Sequence, residues 1–291
     1  MPKLSYLLSL TPVETWRLAR RRLPILRGGP AWTAKELLYS TKFGRGIRFA
    51  ELLLRQEAVV RRHTPWEPLD FADRRVIEIG CGPLAGFGPL AIFCGAKSFE
   101  SAEPEWDADL FHSDAIAERY LRIFHADLTA LYGERADFTT FRAALHERLT
   151  VHSCAFEAAQ FAGTADIILS QSCLEHVFPL DATVAKLASI QGPQTRFLHL
   201  VDFGNHYPTV DPFEGLYEQP PSDYIARRGK AINLLRAPDV ENLFKRHGIP
   251  AQSIASRRIE TYTGKAHPWW RERYDETALF TQLALVVGPA A

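Results

Sequence analysis

The chain is short of several things that would announce a partner or a compartment. It has four cysteines in 291 residues, Cys81, Cys94, Cys154 and Cys173. None forms a CxxC pair, so no zinc framework is visible, and reduced thiols in a cytoplasmic compartment are expected. It lacks any excess of charge, with 34 basic and 34 acidic side chains. A net pull toward nucleic acid or anionic membrane needs clustered cations, and the one local cluster, Arg17, Arg20, Arg21, Arg22 and Arg27, reads as a solvated helix face. Long apolar runs are missing too. Leu4 to Leu10 is too short to span a bilayer, and the following Glu14 and arginines invert the order of a signal peptide, so neither secretion nor a membrane span is expected. There is no internal repeat and no low-complexity tract, since 19 Pro and 18 Gly lie near average usage.

What remains is a composition that can build a core, 46% hydrophobic and 23% charged. Residues 1–73 read as a helical N-terminal extension, from the helical spacing of Leu37 and Leu38, then Phe49, Leu52 and Leu53, and its expected use is as a homodimer or partner surface. Arg27-Gly28-Gly29-Pro30 breaks that pattern. Residues 74–291 read differently. Arg75 to Gly80 is a buried strand, Pro89 to Cys94 a helix closed by Gly95, and Ser98 to Ala102 a second strand. Strands recur at Ala165 to Leu169 and Arg196 to Val201, with a helix Asp181 to Ile190 between them stopped by Gly192-Pro193. Pro238 to Gly248 reads as a helix, followed by strands Ile254 to Thr263 and Leu279 to Val287. This alternation predicts an α/β fold, a Rossmann-like doubly wound, mostly parallel sheet with helices on both faces. Two stretches look inserted, the helical residues 107–149 and the Pro-, Tyr- and charge-rich residues 203–236, the latter a candidate substrate lid.

The strongest local signal is Glu78-Ile79-Gly80-Cys81-Gly82-Pro83-Leu84-Ala85-Gly86, placed where a strand turns into a helix. It is followed by Glu103 at the end of the next strand. Glycine allows close backbone approach to a ligand, and a carboxylate can accept both hydroxyl protons of a ribose. The spacing is GxGxxxG, not the GxGxxG of dinucleotide sites, and Pro83 removes an amide donor, which disfavours a pyrophosphate ligand. No GxxxxGK[ST] occurs, so a P-loop hydrolase is unsupported.

Through Val76 to Pro83, Ser101-Ala102-Glu103-Pro104, and Asp166 to Val177 (DIILSQSCLEHV), the sequence resembles the class I S-adenosylmethionine-dependent methyltransferases. The resemblance covers about residues 74–288. It implies S-adenosyl-L-methionine as cofactor and S-adenosyl-L-homocysteine as product, with the loop of Glu78, Gly80, Cys81, Gly82 and Gly86 against the methionine and ribose parts. Glu103 would hold the ribose diol and Ala155 and Phe156 the adenine, with Ser170 at the end of the following strand added to the set.

Methyl transfer from a sulfonium is an in-line displacement, so the chain must align the acceptor and, for a hydroxyl, remove a proton. His176, just after the strand ending near Ser170, and His206, beyond the next strand, are the candidate acid–base residues, and imidazole has a suitable pKa. His199 reads as a satisfied core histidine. Some methyltransferases of this class take a divalent metal through Glu-x-x-Glu-His. Here Glu175-His176 matches but Ser172 stands at the first glutamate, so a metal at Glu175, His176 and His206 ranks below metal-free base catalysis, and no metal ligand is assigned. Residues 203–239 are similar to the corresponding region of bacterial methyltransferases acting in glycan and natural-product pathways, and Tyr217, Tyr224 and Arg236 could stack on an acceptor or pack as a lid core. The expected reaction is O-methylation of a small molecule or saccharide. The alternatives are methylation of RNA or protein, which would need a basic track, and a cofactor-fold scaffold without catalysis.

Overall fold

Seven strands, the central ones β1 and β4 and the late β7 rich in Val, Ile and Leu, pair into one sheet in the order β3-β2-β1-β4-β5-β7-β6. In the computed structural model, which describes residues 32–40, 45–207, 209–259 and 264–288, these are β1 Arg75–Ile79, β2 Ser98–Ala102, β3 Leu149–His152, β4 Ala165–Gln171, β5 Gln191–Asp202, β6 Gln252–Arg258 and β7 Thr281–Gly288. The first five are parallel neighbours, while β7 runs antiparallel between β5 and β6. From β1 the chain steps outward through β2 to β3, then returns to β4 on the other side. The carboxyl ends of β1 and β4 therefore flank the switch point, where open α/β sheets bind ligands.

The strands are apolar on both faces because both faces are covered. Val76, Ile167, Leu198 and Leu285 face one layer and Ile77, Ile168, Phe197 and Val286 the other, the period of two that a pleated strand imposes. The first layer holds α1 Ala34–Ser40, α2 Gly46–Val60, α3 Gly88–Phe93, α4 Arg122–Tyr132 and α5 Phe138–Arg148. The second holds α6 Leu180–Ile190 and α8 Ala237–Arg246. Between them in sequence comes α7 Pro221–Arg228, which belongs to a third cluster of Phe213, Leu216, Tyr217, Tyr224 and Trp270. The Rossmann-like, doubly wound reading describes this architecture.

Some boundaries differ from the sequence reading. β5 begins at Gln191, so Gly192-Pro193 lies inside the first stretch of strand instead of in a linker after α6. Leu279 and Phe280 end a helical turn, Glu276–Phe280, because Asp275 caps it by accepting from the Ala278 amide at 2.7 Å; the strand starts at Thr281. Residues 107–149 carry α4 and α5 and lead from β2 into its parallel neighbour β3, which the sequence pattern had left unmarked. In the N-terminal stretch, Leu37, Ala50, Leu53 and Val60 join the same apolar cluster as β1 and α3. The arginine cluster from Arg17 to Arg27 lies outside the described residues. All four cysteines are free thiols. Among the described residues no helix is long and apolar enough to cross a membrane.

Candidate active site

Glycine is required twice in the loop after β1 for reasons of space. Gly80 has φ +68°, and a Cβ there would run into Cys173 Sγ. Gly86 has φ +46°, and a Cβ would sit 2.7 Å from Glu78 Cδ. Between them Gly82, φ +65°, opens a 3₁₀ turn, Gly82–Leu84, and a side chain there would meet nothing within 4 Å. Here the positive φ alone selects glycine.

Glu78 lies beneath this loop, 1% exposed, and accepts from the Phe87 amide at 2.8 Å. Desolvation pushes its carboxyl up to about 8, against the lowering pull of that bond. It thus braces the loop from below and does not line the cleft. Cys81 is also buried, its thiol raised first by desolvation and then by Glu78.

Above the loop is a cleft of about 570 Å³, bounded by Gly80, Glu103, Ala155, Phe156, Cys173 and His176. Five of these are sequence-predicted site residues; Cys173, and Phe178 at the mouth, were not. The strand-edge position of Glu103 follows from β2 ending at Ala102. Its Oε2 accepts from the Gly82 amide at 3.1 Å and its Oε1 from the Glu105 amide at 3.0 Å. Each oxygen keeps a second acceptor site, so the carboxylate is oriented by the chain and still able to take two hydroxyl donors. A carboxylate held this way, an apolar wall of Ala155 and Phe156, and a glycine edge free of side chains fit the ribose and adenine of S-adenosylmethionine.

Ser170 does not reach this cleft. It is buried, and its hydroxyl is paired with His199 Nδ1 at 2.8 Å. His199 is fully buried, and desolvation drives its pKa down to about 3, so it stays neutral. Its core placement matches the sequence reading, although only one ring nitrogen is satisfied; Nε2 has no partner.

The two candidate histidines do converge. His176 ends the 3₁₀ turn Leu174–His176, and His206, at φ +55°, follows β5; their rings are perpendicular with centroids 4.7 Å apart. His176 Nδ1 donates to the Ala231 carbonyl at 2.8 Å, which leaves Nε2 as the nitrogen with a free lone pair. Desolvation lowers its pKa first, and His206 beside it lowers it further, keeping the ring neutral. Glu175 stands under the pair, 3% exposed, with Oε1 3.9 Å from His206 Nε2. Neither carboxylate oxygen has a hydrogen-bond partner, and desolvation pushes this carboxyl up to about 8.

The 203–236 segment holds this turn from outside. Asn233 Nδ2 donates to the carbonyls of Leu174 at 2.7 Å and Val177 at 3.1 Å, and the Asn233 amide donates to the Glu175 carbonyl at 2.8 Å. Tyr217, Tyr224 and Arg236 are not available to stack on an acceptor. Tyr217 and Tyr224 are buried in the third apolar cluster. Arg236, 1% exposed, donates from Nη1 to the Phe203 carbonyl at 2.8 Å and to the Tyr217 hydroxyl at 2.9 Å. For these three residues the packed lid core, of the two readings, is the one realised.

No protein-family model matches the chain, and no curated protein matches it. Solved structures do. A chain of the complex between the Haloferax volcanii Trm112 methyltransferase activator and a methyltransferase is 16% identical, with 90% of this chain and 96% of that chain covered and a TM-score of 0.45. The Haemonchus contortus phosphoethanolamine N-methyltransferase 2, in complex with S-adenosyl-L-methionine, is 14% identical over 85% of this chain and 47% of that one, TM-score 0.46. The CurJ carbon methyltransferase is 16% identical over 96% and 63%, TM-score 0.46. All three are described as methyltransferases, and each likeness is low in identity and in TM-score. At these identities and scores the likeness carries no argument about acceptor or activity, which rest on the site.

Proposed function

We propose that the chain is an S-adenosylmethionine-dependent methyltransferase acting on an oxygen of a small-molecule or saccharide acceptor. One observation carries the reading: the glycine edge, the oriented Glu103 carboxylate, the Ala155–Phe156 wall and His176 bound a single cleft at the switch point of the sheet. The cofactor, when bound, supplies a methyl group on a sulfonium. Glu103 would hold the ribose hydroxyls, and Gly80 and Gly82 would let the backbone approach the methionine part. His176 lines the cleft, with the His206 ring 4.7 Å from its own, and these imidazoles would take the acceptor's hydroxyl proton; Asn233 keeps the turn that carries His176 in place.

The even balance of 34 basic and 34 acidic residues favours a small acceptor over RNA. The test is incubation of the protein with methyl-labelled cofactor and metabolite extracts. Label transfer into a small hydroxylated acceptor that is unaffected by salt and lost in His206→Ala supports the proposal. Transfer into RNA or protein overturns the acceptor class. Cofactor binding without any transfer would favour the scaffold reading.

A further inference from the structure

Glu175 poses a problem that the methyl-transfer reading does not solve. A carboxylate that is 3% exposed is ordinarily bonded by amide donors or paired with a cation, because desolvating a charge without a partner is costly. No hydrogen bond of ordinary geometry reaches either oxygen; the Glu175 and Asp202 amides lie near enough to pull the pKa down, yet burial prevails, and the nearest cation-capable group is His206 at 3.9 Å. The two oxygens face two imidazoles, and one ligand atom each from Glu175, His176 and His206 lies within 4.8 Å of the others, the one group of this kind among the described residues.

The second shell is in place. The ring of His176 is fixed by its Nδ1 bond to the Ala231 carbonyl at 2.8 Å, the outer bond that metal-binding histidines ordinarily make, and it leaves the opposite nitrogen as a donor. The separation of His206 Nε2 and Glu175 Oε1, 3.9 Å, is within the about 4.2 Å that two ligands, each about 2.1 Å from a shared cation, can span. His206 is held for this by its unusual backbone, φ +55°, and has a weak alternative bond at 3.3 Å to the Asp202 carbonyl.

We propose that Glu175, His176 and His206 bind a first-row divalent transition cation of the zinc, cobalt or manganese class. Two imidazoles and one carboxylate suit such ions, and their three bonds would leave a coordination position open. Mg²⁺ is disfavoured, because a single carboxylate supplies too little hard oxygen; the position that could have added a second is Ser172. The inference rests on the methyltransferase reading only in placing the acceptor at this cluster. Were a cation held there, the two imidazoles would be its ligands in place of the proton-accepting role given them above, and the cation would supply acidification of an acceptor hydroxyl.

The test uses the full chain without an affinity tag, stripped with a chelator and titrated with Co²⁺ and Zn²⁺ by visible absorption and calorimetry. S-adenosyl-L-homocysteine affinity is measured in parallel. The expected result is one equivalent bound, with affinity falling at least 100-fold in Glu175→Gln and in His206→Ala, while homocysteine-product affinity is unchanged. His206 is exposed, so its variant carries the test should the buried one fail to fold. No saturable binding to the wild type, or equal affinity in the variants, overturns the site. Product binding without metal binding sinks this inference alone. Metal binding without product binding sinks the methyltransferase reading and leaves the site standing.

Discussion

Two buried glutamates near the switch point look alike by burial and by charge, and they do different work. Glu78 is 1% exposed and Glu175 3%, and desolvation pushes both carboxyls up to about 8. The difference lies in what answers them. Glu78 has an amide donor, Phe87, and a loop wrapped so tightly over it that Gly86 has no room for a Cβ. Glu175 has no hydrogen bond of ordinary geometry and two imidazoles beside it. Burial and a raised pKa therefore do not by themselves mark a site. A group whose bonding capacity the chain fills is part of the scaffold; one left open beside ligand-capable neighbours faces something that is not protein.

The largest expected effect falls on the scaffold side. Gly86→Ala forces a side chain onto the Glu78 carboxylate at positive φ and should destabilise the protein by about 3 kcal/mol or more, read from urea unfolding. A stability near wild type would show that the loop is not pinned by Glu78. The two glutamates then separate under one substitution. Glu78→Leu leaves the buried Phe87 amide unpaired and should cost about 1–3 kcal/mol, whereas Glu175→Leu removes no well-formed hydrogen bond, should be neutral or stabilising, and should abolish turnover. Equal destabilisation by both would erase the contrast drawn here.

Smaller effects sharpen it. Ser170→Ala removes the one partner of His199 and should cost about 1 kcal/mol while product affinity stays the same; a fall in affinity would return Ser170 to the binding set. The pH dependence is the mildest signature. The Glu78 carboxyl stands at 4.5 when unfolded and about 8 when folded, so its contribution is fully present below about 4.5 and is lost as pH rises through about 8. In Glu78→Gln, which keeps an acceptor for Phe87, the decline in stability between pH 5 and 9 should flatten. An unchanged slope would place the titration elsewhere.

Much of this fold can be read from residues in order. β2 runs from Ser98 to Ala102, the bounds read from the sequence, and Glu103 falls at its end, where a ligand-facing acid belongs. β3 is harder to see, because Leu149–His152 is a four-residue edge strand continuing directly from the helix α5. Within the site, Gly80, Glu103, Ala155, Phe156 and His176 are legible because each sits at a strand end or loop fixed by local pattern. The roles of Ser170 and Glu78 are not. Whether a side chain after or within a strand turns into the cleft or under it depends on partners far away in sequence, His199 for one and Phe87 for the other. The role of Asn233, which stands out in sequence only as part of the 203–239 segment, is hidden for the same reason; it clasps a turn 56 to 59 residues earlier.

The central claim is that the cleft over β1 and β4 is a binding site for S-adenosylmethionine oriented by Glu103, and calorimetric titration of S-adenosyl-L-homocysteine into the wild type and Glu103→Ala tests it most directly. The account predicts saturable one-to-one binding that weakens by about 1–3 kcal/mol in the variant, the value of the lost ribose hydrogen bonds. Undetectable binding to the wild type, or an affinity unchanged by the substitution, would contradict it.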